Sequence, residues 1–195
     1  MNRVIFTVIF FLYLLMPGCK SNLPVLEDLN GHDFHLLTQD SLKFDFPNDF
    51  KGKIVVMGFI FTNCPDICPL TTNNLRLIQE RIRKDNISNV EIAALSFDPE
   101  VDTPGILKKY AEIRGLSLSN WTFLTGEKEE ISKLIKECGV FAIPSDTVKY
   151  EGGKDIYLYV HTDRISLIDP ESRIRKNYSG SKINVDEIIN DIKLL

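Results

Sequence analysis

Two adjoining stretches decide the fold: residues 54–61 read IVVMGFIF and residues 62–69 read TNCPDICP. A continuous apolar run is typical of a central strand that is buried on both faces of a sheet. The apolar spacing that follows predicts an amphipathic helix from about residue 69 to residue 84. Cys64 and Cys68 therefore come where a buried strand ends and a helix begins.

The rest of the chain repeats this alternation of strands and helices. Strand patterns occur at residues 43–46, 90–97, 121–124, 156–160, 164–168 and 173–178. Helical spacing occurs at residues 104–114, 127–138 and 185–192, with start signals at Thr103-Pro104 and at Asn184 with Glu187. Strands that alternate with helices build layered α/β domains. The sequence therefore predicts a single α/β domain with a central mixed β-sheet flanked by helices.

The composition is that of an ordinary soluble globular domain. The chain has 195 residues, of which 44% are hydrophobic, and 23 basic against 27 acidic side chains give a formal net charge of −4. This length is sufficient for one domain with a hydrophobic core. Because nucleic-acid-binding surfaces carry a basic excess, the acidic balance argues against nucleic acid as a partner.

The N-terminal residues are predicted to be a targeting segment. Arg3 is the only charged residue before Cys19, and residues 4–16 are apolar apart from Thr7. This run is shorter than the roughly 18–20 residues that cross a bilayer, so it indicates a signal peptide rather than a membrane span. The segment ends in LMPGC at residues 15–19, which resembles the lipobox of bacterial lipoproteins.

The lipobox resemblance implies cleavage before Cys19 and attachment of a lipid to its sulfur. Residues 1–18 are then the signal peptide, residues 19–26 a tether and residues 27–195 the folded domain. The protein is accordingly expected on the extracytoplasmic face of a bacterial membrane. Plain secretion and an uncleaved anchor remain open alternatives.

The spacing of Cys64 and Cys68 favours a paired-thiol site. The N-terminus of a helix presents unpaired N–H groups that stabilise a thiolate, so both cysteines are expected to have a low pKa. Their Cys-x-x-x-Cys spacing has one residue more than the Cys-x-x-Cys of thioredoxin-like redox pairs. Positions i and i+4 of a helix share one face, so both sulfurs can converge on a soft ion such as Cu(I) or Zn²⁺. A disulfide also remains compatible with this spacing, and a metal would need a third ligand.

Histidine is the first candidate for that third ligand. His161 follows the predicted strand at residues 156–160, whereas His32 and His35 flank Asp33 near the start of the domain. His32 and His35 could bind a metal in principle. Their place in a turn and at the start of a strand instead favours exposed residues that bind no metal. A lone histidine at a strand end is more often structural than a ligand, so context must decide the role of His161.

Three further residues are weaker candidates. Asp98 ends a predicted strand, where the sites of α/β folds cluster, although an Asp-Pro turn is the alternative interpretation. Asp66 lies between the two cysteines and either influences access to them or is a solvated carboxylate. Cys138 lies on the apolar stripe of its helix and is expected to be a buried structural thiol.

Five segments follow one another in a recognisable order. They are TNCPDICP at residues 62–69, LSFDPEVDTP at 95–104, LTG at 124–126, YVHT at 159–162 and LIDP at 167–170. Together they resemble the Sco/SenC family, copper-binding proteins of cytochrome c oxidase assembly. The resemblance extends over residues 26–195, and the combination of the two cysteines with the downstream His-Thr is what makes it specific.

The family resemblance implies a thioredoxin-like fold and a copper site. By position, Cys64 and Cys68 are the thiolate ligands and His161 is the imidazole ligand of Cu(I), with Cu(II) as a second form. Many members have Asp directly before this histidine, where the present chain has Val160. Residues 169–173 stand where the family often has a glycine turn, and we interpret them as a loop variation without chemical consequence.

The same resemblance implies a membrane-anchored, extracytoplasmic copper chaperone that delivers copper to the CuA site of cytochrome c oxidase. The expected partners are the oxidase subunit that carries this site, a thiol reductant, and the membrane through the lipid on Cys19. The alternative is a thiol-disulfide oxidoreductase that reduces cysteines of a copper-site acceptor through Cys64 and Cys68, with His161 dispensable. A peroxide-reducing enzyme of the same fold has slight support from Thr62.

Overall fold

The computed structural model describes residues 23–64, 67–148 and 156–195, and strands and helices alternate through these ranges. The strands are β1 (Glu27–Asp28), β2 (Phe34–Thr38), β3 (Lys43–Phe46), β4 (Ile54–Ile60), β5 (Val90–Ser96), β6 (Trp121–Gly126), β7 (Ala142–Val148), β8 (Ile156–His161), β9 (Ile165–Ile168) and β10 (Arg173–Tyr178). The helices are α1 (Ile67–Lys84), α2 (Pro104–Ile113), α3 (Lys128–Glu137) and α4 (Val185–Ile192), and a short 3₁₀ turn spans Asn48–Phe50.

The apolar run that starts at Ile54 lies at the centre of the larger sheet. Every residue of β4 is buried. This strand pairs in parallel with β5 and antiparallel with β9. The strand order of the sheet is β1-β10-β9-β4-β5-β6-β2-β3. The predicted central mixed β-sheet is therefore confirmed.

The helices cover this sheet with their apolar faces. Helix α1 packs on β4 and β5 and also contacts α4, α2 packs on β6, and α3 packs on β2 and β6. The largest fully buried side chains include Trp121, Phe46, Phe59, Phe61, Phe123 and Met57. The apolar stripe of α1 supplies Leu75, Ile78 and Ile82 to the same core. The predicted α/β arrangement is confirmed by this packing.

A hairpin outside the main sheet was not predicted. Strand β7 pairs antiparallel with β8 in a separate two-stranded sheet, with a register shift between Pro144 and Thr147. Proline cannot donate a ladder hydrogen bond and is confined to edge strands and bulges, so its presence hides this strand in the sequence. Because β8 carries His161, the missed strand β7 contributes to the position of this histidine.

Most predicted boundaries differ from the observed ones by only one or two residues, as is usual for helix and strand ends. The helix expected from about Pro69 begins at Ile67. Thr103 precedes α2 in an extended conformation, but its side chain makes no capping hydrogen bond, so Pro104 at the first helical turn is the effective start signal. Asn184 does cap α4, since its side chain accepts from the backbone N–H of Glu187.

Several sequence predictions fall on residues outside the described ranges. These are the signal peptide at residues 1–18, the predicted lipid attachment at Cys19, the first half of the tether and Asp66. In the part of the chain that is described, no helix combines the length and the apolar character needed to cross a membrane.

Candidate metal centre

The two cysteines lie at the junction between β4 and α1. Cys64 is on the connecting loop and half-buried, whereas Cys68 is in the first turn of α1 and fully buried. The backbone N–H of Cys68 points at the sulfur of Cys64 over 3.4 Å. The N–H of Phe61 points at the sulfur of Cys68, also over 3.4 Å. The two sulfurs are therefore brought together by the loop and the first turn of the helix. They do not share one helix face, as the i, i+4 spacing suggested.

His161 completes a three-residue cluster with these cysteines. One ring nitrogen of His161 and the sulfurs of Cys64 and Cys68 all lie within 4.8 Å of one another. Bonds from zinc to a thiolate sulfur or an imidazole nitrogen are about 2.0–2.3 Å long. Small side-chain adjustments are therefore enough to place all three atoms around one ion. The cluster joins a ligand candidate from β8 to two that lie about a hundred residues earlier in the chain.

The ring of His161 is oriented by its own backbone. Its Nδ1 lies 3.1 Å from the carbonyl oxygen of Thr162. A carbonyl can only accept, so Nδ1 carries the proton and Nε2 keeps the lone pair that a metal would use. Hydrogen bonding with Cys64 raises the pKa of His161, against the opposing effect of burial. The ring also packs on Phe97, with ring centroids 4.9 Å apart.

The segment that follows His161 is tied down on two sides. Arg164 donates from Nη1 to the carbonyl oxygens of residues 138 and 139, each over 2.9 Å. The carboxylate of Asp163 accepts from the hydroxyls of Ser179 and Ser181, over 2.8 Å and 2.7 Å. These contacts hold the end of β8 in place, so the position of His161 does not depend on the hairpin alone.

Asp102 is a buried residue of the site to which the sequence analysis assigned no role. Its side chain accepts from the backbone N–H of Thr62 over 2.9 Å, from the Thr62 hydroxyl over 2.5 Å and from the Ser96 hydroxyl over 2.6 Å. Burial raises the pKa of Asp102, in opposition to these hydrogen bonds. Asp102 thereby anchors the loop two residues before Cys64. The sequence signal was the second aspartate of the LSFDPEVDTP segment, just before a helix start.

Comparison with known proteins identifies the family. A family model described as SCO1/SenC matches residues 25–195, which is most of the chain. The chain belongs to the SCO1/SenC family. The resemblance inferred from the five sequence segments is thus confirmed.

Solved structures of relatives share the fold of this SCO1/SenC protein. A SCO1/SenC family lipoprotein from Bacillus anthracis str. Ames is 32% identical, with a TM-score of 0.74 over 89% of this chain and 98% of that one. BsSco, described with a disulfide switch and as a member of the Sco family of cytochrome c oxidase assembly proteins, is 32% identical, with a TM-score of 0.69 over 87% and 94%. Arabidopsis thaliana ScoI, solved with copper bound, is 25% identical, with a TM-score of 0.71 over 85% and 99%. The predicted thioredoxin-like fold is confirmed.

The protonation of Cys68 differs from the expectation of two low-pKa thiols. Its hydrogen bond with Cys64 and its burial raise the pKa of Cys68 far above the ordinary value, although the N–H of Phe61 acts in the opposite direction. The metal-free protein therefore keeps a proton on this sulfur at neutral pH. A metal that binds here must displace that proton, which is the usual linkage between thiolate ligation and proton release.

The third cysteine in the described ranges behaves as a structural thiol. Cys138 follows α3, has no exposed surface and belongs to the hydrophobic core. Burial raises the pKa of Cys138 to about 12. Cys64, Cys68 and Cys138 are all free thiols. The expectation of a buried structural Cys138 is confirmed.

Asp98 contacts the wall of the site without joining the cluster. It is 2% exposed and accepts from the Tyr159 hydroxyl over 3.3 Å. The Tyr159 ring packs on Phe61 and Phe97, with centroids 5.1 Å and 5.2 Å apart. Asp98 therefore supports the aromatic wall next to His161. The hydroxyl of Thr62 donates a hydrogen bond to Asp102. In this arrangement the hydroxyl is not available for the peroxide-reducing role.

The other histidines lie outside this site. His35 is exposed on β2, and its Nδ1 lies 2.8 Å from a carboxylate oxygen of Asp45. With Asp33 these two residues form a second, exposed group of potential ligands. His32 lies 3.9 Å from Glu137. The expectation of exposed residues is confirmed for His35, whereas His32 is only partly exposed.

Val160 occupies the opposite face of the hairpin from His161. It pairs with Ile143 in the β7–β8 register, whereas His161 pairs with Ala142. Successive side chains of a strand point to opposite faces. Val160 and Ile143 are both more than half exposed. The position before the histidine therefore presents an apolar surface in this protein.

Proposed function

We propose that this protein is an extracytoplasmic, membrane-anchored copper chaperone that binds copper through Cys64, Cys68 and His161 and delivers it to the CuA site of cytochrome c oxidase. The observation that carries the proposal is the convergence of the two sulfurs and a ring nitrogen within 4.8 Å of one another. Two soft thiolates with one imidazole suit Cu(I).

The burial of the ligands suggests how copper would leave. Cys68 is fully buried, whereas Cys64 and His161 are partly exposed. An incoming thiolate of the acceptor would therefore reach the ion from the side of Cys64 and His161, and Cys68 would be the last ligand replaced. Stepwise exchange of this kind keeps copper coordinated throughout the transfer.

The relatives support the cargo, the partner and the location. Arabidopsis thaliana ScoI has been solved with copper bound, BsSco is described as a cytochrome c oxidase assembly protein, and the Bacillus anthracis relative is described as a lipoprotein. The proposal assigns the signal peptide to residues 1–18, the lipid anchor to Cys19 and the tether to residues 19–26. The oxidase subunit that carries CuA is the proposed acceptor.

A Cu(I) titration of the reduced full-length chain against a competing chelator tests the ligand set. We expect one tightly bound ion per chain, and a loss of more than about a hundredfold in affinity for His161→Ala and for Cys68→Ser, because a lost ligand costs more than the 10–100-fold of a lost ligand support. His35→Ala and Cys138→Ala are the matched controls and should bind like the parent. Equal binding by His161→Ala and the parent would refute the ligand set.

Transfer is tested separately from binding. The Cu(I)-loaded protein is mixed with a metal-free oxidase subunit that carries the CuA site, the mixture is oxidised with ferricyanide by one electron per dinuclear site, and the absorption of mixed-valence CuA is followed. We expect this absorption to appear with the parent and to be absent with Cys68→Ser. If the protein binds copper but never yields that absorption, delivery to CuA is excluded.

A thiol-disulfide oxidoreductase is the second candidate function. The N–H of Cys68 lies 3.4 Å from the sulfur of Cys64, so the two thiols are neighbours, and BsSco is described with a disulfide switch. Turnover of a disulfide substrate distinguishes the roles: an oxidoreductase would lose activity in Cys64→Ser and retain it in His161→Ala. A chaperone would show no such turnover.

A further inference from the structure

A concave site that does not include the metal cluster lies between α1 and α2. The cavity has a volume of about 470 Å³, and its lining includes Arg76, Tyr110, Ile113, Arg114 and Leu116. Sites for small ligands typically enclose about 300–1,000 Å³. The cavity therefore has the size of a ligand site, and nothing in the proposed copper chemistry uses it.

The charge of this cavity is opposite to that of the whole protein. Two arginines line it and, among the described residues that line it, none is acidic, although the chain carries a formal net charge of −4. Arg76 is partly neutralised, since it donates to Glu80 and, over 2.8 Å, to Asn73. Arg114 has no carboxylate partner within the described ranges. One uncompensated positive charge therefore faces the cavity.

Arg114 is held in a fixed orientation. Its guanidinium carbon lies 4.3 Å from the centroid of the Tyr110 ring. A guanidinium stacked on an aromatic face keeps the N–H donors of its edge available for a planar anion. Tyr110 is itself fixed, because its hydroxyl lies 3.0 Å from the hydroxyl of Thr72 and its ring packs edge-on against Phe123. This stacking lowers the side-chain entropy that Arg114 would lose on binding a ligand.

We propose that this cavity binds a carboxylate ligand through the guanidinium of Arg114. A single unpaired guanidinium matches one carboxylate in charge, and its two parallel N–H donors match the two oxygens. Ile113 and Leu116 provide an apolar wall for the part of the ligand that carries the carboxylate. The ligand is either a free small organic acid or an acidic side chain of a peptide, since both present the same group.

The cavity adjoins the segment that leads to the metal cluster. Thr62 also lines it. The N–H and hydroxyl of Thr62 are bonded to Asp102, and Cys64 follows two residues later. A ligand in the cavity would therefore contact the loop that carries Cys64. Carboxylate binding requires no copper, so its test is independent of the test of the proposed chaperone function.

The test is a calorimetric titration of metal-free full-length protein with succinate and, separately, with a hexapeptide that contains adjacent Asp and Glu residues. Succinamide and the corresponding Asn-Gln peptide are the uncharged counterparts. We expect saturable one-to-one binding of at least one acidic probe and of neither counterpart. Arg114→Gln should weaken it about tenfold, as the loss of one charge-assisted contact implies. Arg114→Lys should give an intermediate loss, because lysine keeps the charge without the fork.

Lys109→Gln is the matched control, since it removes the same charge from an exposed position of α2 that does not line the cavity. It should bind the probe within about twofold of the parent. Binding of succinate alone would identify a free acid as the ligand, and binding of the peptide alone would identify a protein segment. The proposal is overturned if neither acidic probe saturates, or if Lys109→Gln weakens binding as much as Arg114→Gln.

Discussion

At the scale of single residues, the proposed metal centre depends on a carboxylate that touches no ligand. Asp102 has no exposed surface and accepts from two residues, Thr62 and Ser96. Burying a charge is costly, and the raised pKa of Asp102, caused by that burial, reflects it. The hydrogen bonds offset this cost and fix the loop before Cys64. We infer that Asp102 positions Cys64 relative to His161.

Asp102→Asn is expected to weaken both the loop and copper binding. The amide nitrogen of Asn cannot accept a hydrogen bond, so at least one donor on Thr62 or Ser96 loses its partner, at a cost of about 1–3 kcal/mol in the free energy of unfolding. The affinity for Cu(I) should fall about tenfold or more, as when a group that orients a ligand is lost. Urea unfolding and the chelator competition measure the two effects.

Glu100→Gln is the control for that substitution. Glu100 is exposed and pairs with Lys128 on the surface, so its loss should change the free energy of unfolding by less than about 1 kcal/mol. If Asp102→Asn were as stable as this control and bound copper like the parent, Asp102 would have no positioning role.

At the scale of elements, the contact between β4 and α1 sets the distance of the helix from the sheet. A Cβ atom on Gly58 would lie 2.8 Å from Cδ1 of Leu75 and 3.3 Å from Cγ2 of Thr71. Both side chains belong to α1, whose first turn carries Cys68. The absence of a side chain at Gly58 therefore lets the helix approach the strand closely enough to bury that cysteine.

Gly58→Ala is expected to destabilise the protein by about 1–3 kcal/mol, because overpacking a filled core forces side chains from their preferred positions. Gly105→Ala in α2 is the matched control: nothing lies within 4 Å of its added Cβ, and it should be neutral or stabilising by up to about 1 kcal/mol. Unfolding can be followed through Trp121, the only tryptophan, which is 1% exposed. Equal stabilities of the two variants would contradict the close approach of α1 to β4.

At the scale of the whole molecule, a buried ion pair links the turn between β9 and β10 to the start of the described chain. Asp169 is 2% exposed and accepts from Nη1 of Arg175 over 2.7 Å. Arg175 also donates to the carbonyl oxygens of Pro24 and Leu23. The interpretation of residues 169–173 as a loop variation was therefore incomplete, since Asp169 connects distant parts of the fold.

This ion pair predicts a loss of stability in acid. Burial alone would raise the pKa of Asp169, but hydrogen bonds from Arg173 and Arg175 outweigh it and leave the pKa below its ordinary value. A carboxylate with a lowered pKa in the folded state stabilises above its unfolded pKa, near pH 4, and this contribution is lost as the pH falls through the folded value. The free energy of unfolding should therefore decrease from about pH 4 downward.

Asp169→Asn isolates this contribution. At pH 7 it should lower the free energy of unfolding by about 3–5 kcal/mol, the usual effect of removing one partner of a buried pair. Between pH 5 and pH 2 it should lose less stability than the parent, since the titrating group is absent. Urea midpoints at several pH values measure both. A parallel pH dependence of variant and parent would show that Asp169 does not contribute.

The sequence alone determined the features that a few neighbouring residues encode. The apolar run at residues 54–60 is buried throughout its length, and the spacing of Leu75, Ile78 and Ile82 placed α1, because side-chain periodicity reports directly on local burial. The two cysteines together with the downstream His-Thr also identified the family. Strand β7 escaped prediction, since its proline and its register shift break the local pattern.

Only the tertiary structure decided what depends on residues far apart in the chain. The bond from Thr62 to Asp102 spans 40 positions, and the stacking of Arg114 above a cavity shared with α1 needs two helices in contact. The high pKa of Cys68 likewise results from burial and from Cys64, and it reversed the expectation drawn from the helix N-terminus alone. Burial and long-range pairing follow from strand order and helix packing, so no local pattern carries them.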